Sequence, residues 1–511
     1  MDILAFSLYF VAMIAIGLFF FVKSKATTEK DYFLGGRAMG PWVTAMSAQA
    51  SDMSAWLLMG LPGSILAFGF GQAWIGIGLA IGTAANWILV ARRLRKFSRA
   101  SGDAITLPQY LSNRFLTKSH TVSIICAIVF LVCFTIYVAS AFVAGADVFT
   151  TLVPELQRST AMLIFAAIVL VYTFLGGFNA VCWTDFFQGL LMIAALLIVP
   201  ITIVFVKDLD PNAINTIYTG PNGEEFKFVS TFFNASWQEI LSGLGWGLGY
   251  FGMPHIIVRF MAIKKPSMVK KSATVAIIWV VLSLAATIAI GYLGRMFVYS
   301  DGIDLSAKLL AEGKQSLIFV ELARDVFPAF IAGLLLAAII AASMSTADSQ
   351  LLVAASSFSS DLYKPLIRKN ASNKEMLWVS RIVVLVIAVV AYFIASSKGK
   401  AAQAIMDLVS NAWGIFGAAF GPVVLFSLFW KRFTYKGAVA GIIVGAVVDM
   451  LWLWAPVVGG QTLGAVTGIY EIIPGFIIGG LAALIVTLID KAPSAEVNAL
   501  FAKATDNSID D

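Results

Sequence analysis

The sequence predicts an all-α integral membrane protein of about thirteen transmembrane helices. Three observations carry this. First, of 511 residues 59% are hydrophobic and 13% charged, with mean hydropathy +0.88, whereas soluble domains hold roughly 45–50% and about 25%. Second, apolar runs of about 20 residues, long enough to cross a hydrocarbon core, recur along the whole chain. Third, no stretch alternates with the period of two that a barrel needs. Backbone in lipid must satisfy its own hydrogen bonds, which leaves helices.

The first span, near 3–22, lies in MDILAFSLYFVAMIAIGLFFFVK. Asp2 precedes the apolar run, Lys23 and Lys25 come after it, and no small-residue cleavage site appears, so it reads as a membrane helix and not as a leader. Further spans are expected near 41–66, 72–92, 122–150, 160–178, 184–206, 236–262, 272–297, 328–352, 376–397, 404–430, 437–457 and 470–490.

Basic residues orient these spans. If the first helix enters from outside, the loops holding KSKATTEK, ARRLRKFSR, IKKPSMVKK, KPLIRKNASNK and KRFTYK all fall inside. Outside are only Arg158, Lys207, Lys227, Arg295, Lys308, Lys314, Arg324, Lys398 and Lys400, which leaves 26 of 35 in the cytoplasm. That bias predicts the N-terminus out and the C-terminus in. It also explains the formal charge of +6 without a nucleic-acid partner, since the cations sit in short loops and not on one face. The segments 207–235 and 298–327 become the principal outer loops, with room for short helices. KAPSAEVNALFAKATDNSIDD reads as a loosely held cytoplasmic tail. Cys126, Cys133 and Cys182 lie in apolar spans without metal-ligand spacing and read as inert buried thiols.

Function is expected where polar residues interrupt the apolar runs. A carboxylate at mid-bilayer costs roughly 2.5–3.5 kcal/mol on insertion scales, yet the second span carries Asp52 in SAQASDMSAWLLMGLPG. Its small and hydroxylated neighbours, with Gly60 and Pro62 beyond them, suit a helix that unwinds to expose backbone to a ligand. In the ninth span Ala342, Ser345, Thr346 and Ser349 form one helical stripe, and a carbonyl with two hydroxyls on one face offers oxygen ligands to a small hard cation. Asp348 points off that stripe.

The seventh span holds LSGLGWGLGYFGMPHIIVRF, where Gly247, Gly249 and Gly252 match G-x-G-x-x-G. No strand precedes it and no acidic residue stands about 20 positions further on, so it is not a dinucleotide motif. The glycines suit close packing or unwinding. Trp246, Tyr250 and Pro254, four apart, are expected to form an aromatic stripe beside a break, His255 to be structural, and Arg259 to anchor the cytoplasmic end. The two interrupted spans stand five apart and run in opposite directions. That is the pattern of an inverted-topology repeat, with spans 2–6 mirrored by 7–11, a secondary-transporter architecture.

The chain also resembles the sodium/solute symporter family, and within it the branch that carries proline. The resemblance rests on DYFLGGRAMGPWVTAMSAQASDMSAWLLMGLPGS, AITLPQY, FTIYVASAFVAGA, GWGLGYFGMPHIIVRFMA, AAIIAASMSTADSQLLV, GAAFGPVVLFSLFW and YEIIPGFI, spread over nearly the full length. It implies the leucine-transporter-like 5+5 inverted repeat in one transporter domain, 1–490, with repeats about 41–206 and 236–430 and a tail at 491–511. It implies a Na⁺ site of carbonyls from Ala50, Met53 and Ala342 with hydroxyls of Ser345 and Thr346, supported by Asp52 and Asp185. It implies substrate contacts at Ser54, Ala55, Trp56, Tyr137, Trp246, Tyr250 and Pro254.

For function, the resemblance implies sodium-coupled import of L-proline by alternating access, and the short loops and absence of a targeting peptide suggest a bacterial plasma membrane. No covalent chemistry, cofactor beyond the coupling ion or obligatory protein partner is implied. Two departures bear on the cargo: the family's proline carriers commonly place glycine where Ala55 stands and glutamine where Met253 stands. Another amino acid, pantothenate or a sugar therefore stays open as cargo, and Li⁺ or H⁺ as ion. A non-transporting sensor fits less well because the tail is too short for a signalling domain. An aspartyl intramembrane protease would need a GxGD motif that the sequence lacks.

Overall fold

The computed structural model describes residues 1–24, 28–175, 177–206, 209–397 and 403–506; Lys25, Lys207, Lys398 and Lys400 of the orientation count lie outside these. The helices that carry the argument are α1 (Asp2–Ser24), α2 (Pro41–Asp52), α3 (Gly60–Phe68), α4 (Phe70–Ala85), α5 (Arg92–Ala100), α6 (Leu107–Arg114), α7 (Thr121–Leu152), α8 (Arg158–Leu175) and α9 (Phe178–Val206). They continue with α10 (Trp237–Gly245), α11 (Pro254–Ala262), α12 (Val269–Met296), α13 (Ala329–Ser356), α14 (Asn373–Ser397), α15 (Gln403–Phe429), α16 (Tyr435–Trp454), α17 (Ile472–Ile489) and α18 (Ala495–Thr505).

Local chemistry sets the helix starts. Thr106 and Thr434 cap α6 and α16, and Ser236 with Glu239 closes a reciprocal capping box on α10. Pro41 and Pro254 open α2 and α11, where a missing N–H costs nothing. Between α3 and α4 only glycine fits: Gly69 has φ +78°, and a Cβ there would stand 2.4 Å from the Val229 carbonyl.

Among the described residues ten helices are long and apolar enough to cross a bilayer. Each of the thirteen expected stretches is helical, but the second and seventh are divided and the fifth is short in its apolar part. The third span runs on through a π-turn, Asn86–Ala91, into α5, and the ninth runs on to Ile367 through another π-segment. Both exceed the lengths the hydropathy pattern set, because polar residues at their ends stay within the helix.

The ninth and eleventh spans form the centre, 78% and 83% buried, while α1 is 22% buried and faces lipid. α2 packs on α9, α11, α12 and α13; α4 packs on α10; α7 packs on α13, α14 and α15; α16 pairs with α17 at the margin. The segment 209–235 folds down as 3₁₀ turns and a two-residue ribbon in which Tyr218 faces Phe226. Arg295, wholly buried, secures it by donating to the carbonyls of Ala213, Thr216 and Leu66 and by lying 4.3 Å from the Tyr218 ring centroid.

One expectation fails at the C-terminus. The tail is not loose: α18 is capped by Ser494 and docks on α5 and α6, with Phe501 edge-on to Phe97 at 5.3 Å and beneath the Arg114 guanidinium at 4.9 Å. Polar composition hid a helix whose few apolar residues, Val497, Phe501 and Ala504, share one face.

Candidate functional site

The second span breaks where its composition said it would. α2 ends at Asp52, and Met53 caps it with an N–H to the Gln49 carbonyl. Ser54 then accepts from the Trp56 N–H and starts a single 3₁₀ turn, Ala55–Leu57, before α3 resumes at Gly60. The carboxyl end of α2, with its partial negative charge, abuts the middle of α13. Ser345 Oγ donates to the Ala50 carbonyl at 2.8 Å and the Ala342 carbonyl at 3.2 Å, and the Ser54 N–H donates to Thr346 Oγ1 at 3.1 Å. Ala50, Ala342, Ser345 and Thr346 are thus one cluster of neutral oxygens, with Met53 at its edge, all at most 2% exposed. This donor set suits a small hard cation.

The seventh span breaks differently. α10 passes into a 3₁₀ stretch, Trp246–Phe251, then Met253 in extended conformation, then α11. Each glycine of the rejected motif meets a neighbour. A Cβ on Gly247 would lie 2.4 Å from the Gly78 carbonyl, one on Gly249 2.0 Å from Trp413 Nε1, and one on Gly252 2.2 Å from the Phe416 carbonyl. Close approach, not phosphate, explains them.

Trp246 stacks on Trp56 with centroids 5.4 Å apart and on Tyr470 at 5.1 Å, and its carbonyl accepts from Trp413 Nε1 at 2.8 Å. Tyr250 meets Trp413 edge-on at 5.1 Å. Trp56 Nε1 in turn donates to Met406 Sδ. Ser54, Ala55, Trp56, Trp246 and Tyr250 therefore gather around one aromatic cage. Pro254 stands apart from it, because the 3₁₀ pitch and the extended Met253 turn position i+8 away from the stripe expected for an α-helix. Pro254 lines a separate small cavity with Thr106, Phe130, Val353 and Ser357. Tyr137 approaches His255 edge-on at 6.4 Å, and His255, wholly buried between Tyr137 and Phe134, is a packing residue.

A hydrogen bond also joins the two breaks: Tyr250 Oη donates to Asp52 Oδ2 at 2.6 Å, with both residues buried. A second link lies below it. Arg259 is not an interfacial anchor; it is 1% exposed and pairs with Asp185 at 3.1 Å. It also donates to Ser47 Oγ, Ser349 Oγ and the His255 carbonyl, and Ser47 donates to the same Asp185 oxygen at 2.7 Å. The guanidinium turned inward because α9 offers a carboxylate there that no sequence separation reveals. Asp348 lies off the stripe as expected, accepting from Ser349 Oγ at 3.2 Å.

Sequence reasoning missed Trp413, Tyr470 and Met406. The first two stand beside Asn411 and Glu471, polar residues at apolar spans and the local signal that could have marked them.

Two discontinuous helices meeting over a buried oxygen cluster and an aromatic cage are the arrangement of a secondary transporter. Residues 32–445 match the model of the sodium:solute symporter family. The chain is 42% identical over 503 residues to the sodium/proline symporter of Escherichia coli (strain K12), covering 98% of this chain and 96% of that protein. It is 41% identical to the high-affinity proline transporter PutP of Bacillus subtilis (strain 168), covering 96% and 98%.

Among solved structures, a substrate-bound, outward-open Na⁺-coupled sialic acid symporter superposes with TM-score 0.74 at 20% identity, covering 96% of this chain and 98% of the other. Mhp1, a nucleobase-cation-symport-1 family transporter, superposes with TM-score 0.55 at 15% identity, covering 94% and 99%. The chain belongs to the sodium:solute symporter family. It is a multi-pass membrane transporter with the leucine-transporter-like fold, not an enzyme.

Proposed function

We propose that this protein imports L-proline together with Na⁺ by alternating access, as one transmembrane domain, 1–490, crossing the plasma membrane thirteen times with its N-terminus outside. The repeats span about 41–206 and 236–430, the tail from 491 is cytoplasmic, and the protein sits in membrane lipid with no obligatory protein partner. The observation that carries the reading is the Tyr250–Asp52 bond, which ties the oxygen cluster of one break to the aromatic cage of the other.

Na⁺ would take carbonyls of Ala50, Met53 and Ala342 and hydroxyls of Ser345 and Thr346. Asp52, close by, adds a negative field that low dielectric leaves strong. Ordering the end of α2 would fix Asp52, hold Tyr250 through their bond, and so shape the cage before cargo arrives. Proline's carboxylate would meet N–H groups freed at the break around Ser54 and Ala55, and its ring would lie against Trp246 or Tyr250. Tyr137, hydrogen-bonded to Ser54, and Pro254 would complete the substrate contacts. Asp185, paired with Arg259, braces α2, α9, α11 and α13, which helps the halves move as units. A potential of 100 mV supplies about 2.3 kcal/mol per charge carried inward.

Radiolabelled L-proline uptake into proteoliposomes tests this, with and without an inward Na⁺ gradient, beside Thr346→Ala. Sodium-driven accumulation that collapses in the variant is expected. Uptake indifferent to Na⁺ contradicts the coupling. Sodium-driven uptake of another solute instead of proline contradicts the cargo and implicates Ala55 and Met253.

A further inference from the structure

Beyond the two repeats, α16 and α17 bring together two carboxyl groups that the transport reading does not use. Asp449, near the end of α16, is 0% exposed, and Glu471, immediately before α17, is 6% exposed. Both converge on Gly414 of α15: a Cβ there would stand 3.0 Å from Asp449 Oδ2 and 3.3 Å from Glu471 Oε1. Independently, neither carboxylate oxygen of Asp449 has a hydrogen-bond partner, although the residue is wholly enclosed. The titratable groups that bear on the pair are Asp407 of α15, Tyr470, and Cys133 of α7. None of these is a cation.

Two buried carboxylates that converge on one glycine do not readily both ionise, and an unpartnered buried carboxylate is unstable unless its charge is cancelled. The converging donors are two carboxyl groups, enough for a proton and too few for a metal shell of about six oxygens. We propose that Asp449 and Glu471 form a proton-binding site in which the two carboxyl groups share one proton.

The site adjoins the cage. Tyr470, the residue before Glu471, stacks on Trp246 and donates through Oη to the Ser410 carbonyl at 2.7 Å. Losing the proton sets two like charges against each other, moves the start of α17 and draws Tyr470 away from Trp246. This consequence, unlike the site itself, rests on the cage being the cargo site.

Infrared spectroscopy of the purified protein in lipid at neutral pH tests the site without transport. A protonated-carboxyl C=O band, shifted in D₂O and worth one proton per chain, is expected in the native protein and lost in the Asp449→Asn/Glu471→Gln double variant. Absence of any such difference overturns the proposal, and unchanged Na⁺-induced tryptophan fluorescence shows that the variant is folded. In uptake assays, alkaline pH should raise the native KM roughly threefold or more as the pair splits, and leave the double variant flat. A difference band with parallel KM profiles keeps the proton site and overturns its link to the cage; no difference band overturns both.

Discussion

The two broken helices do opposite things with the same device. At residues 53–59, directly after Asp52, the chain unwinds with a single serine, Ser54, and its neighbour, α13, answers with hydroxyls. At residues 246–253 it unwinds with glycines and aromatic rings, and its neighbours answer with Trp413, Tyr470 and the bare backbone of α4. A helix break exposes backbone; the side chains around it decide whether an ion or an organic ring is received. Here the first break faces the ion cluster on one side and lends Trp56 to the cage on the other, and the Tyr250–Asp52 bond and the Trp56–Trp246 stack join the two.

The comparison can be broken most severely below that bond. Arg259→Met leaves Asp185 buried and uncompensated, which should cost roughly 3–5 kcal/mol and most of the folded yield. Adding Asp185→Asn should restore much of it, and thermal unfolding in detergent reads both. Next is the polar break itself. Thr346→Ala removes one cation ligand, worth roughly 1.5–3 kcal/mol, so the Na⁺ concentration for half-maximal uptake should rise at least tenfold while proline binding at saturating Na⁺ is spared.

The aromatic break should give the converse. Tyr470→Phe keeps the ring but loses the bond to Ser410, worth about 1 kcal/mol. KM for proline should rise a few-fold with the Na⁺ requirement unchanged. If either variant shifts both ligands equally, the division of labour between the breaks is wrong.

The smallest effect lies outside the membrane spans. Burial alone would raise the Asp103 carboxyl, but Lys30 and Arg37 outweigh it and hold the group below the usual carboxylate range. A depressed acid adds stability above its unfolded value, about 3.9, and that contribution fades as pH falls through the lower folded value. The unfolding temperature should drop more steeply below about pH 4 in the native protein than in Asp103→Asn, which lacks the contribution at every pH.

The sequence makes legible whatever local chemistry writes down. The spans, the break after Asp52 and the stripe Ala342–Ser345–Thr346 depend on neighbours in the chain, and the structure brings that stripe to Ala50 and Ser54. The stripe Trp246–Tyr250–Pro254 assumes α-helical pitch through a segment that is not α-helical, and Pro254 lines a small cavity with Thr106 and Phe130. The Arg259–Asp185 pair, the partners Trp413 and Tyr470, and the docking of Phe501 on Phe97 are contacts between distant segments. Tertiary packing alone creates them, and an arginine near a helix end carries no local sign of whether it turns to water or to a buried carboxylate.

The central claim is that the Tyr250–Asp52 bond couples the ion site to the cargo site, and linkage makes that claim reciprocal. The direct measurement is the dissociation constant of each ligand with and without the other, read from the tryptophans of the cage in the native protein and in Tyr250→Phe. The native protein should show proline tightening Na⁺ by the same factor that Na⁺ tightens proline, a coupling of about 1–3 kcal/mol. Tyr250→Phe should lose most of it while binding each ligand alone nearly as before. Full coupling in the variant would contradict the account, because the ion and the cargo would then communicate by a route that bypasses the bond between the two breaks.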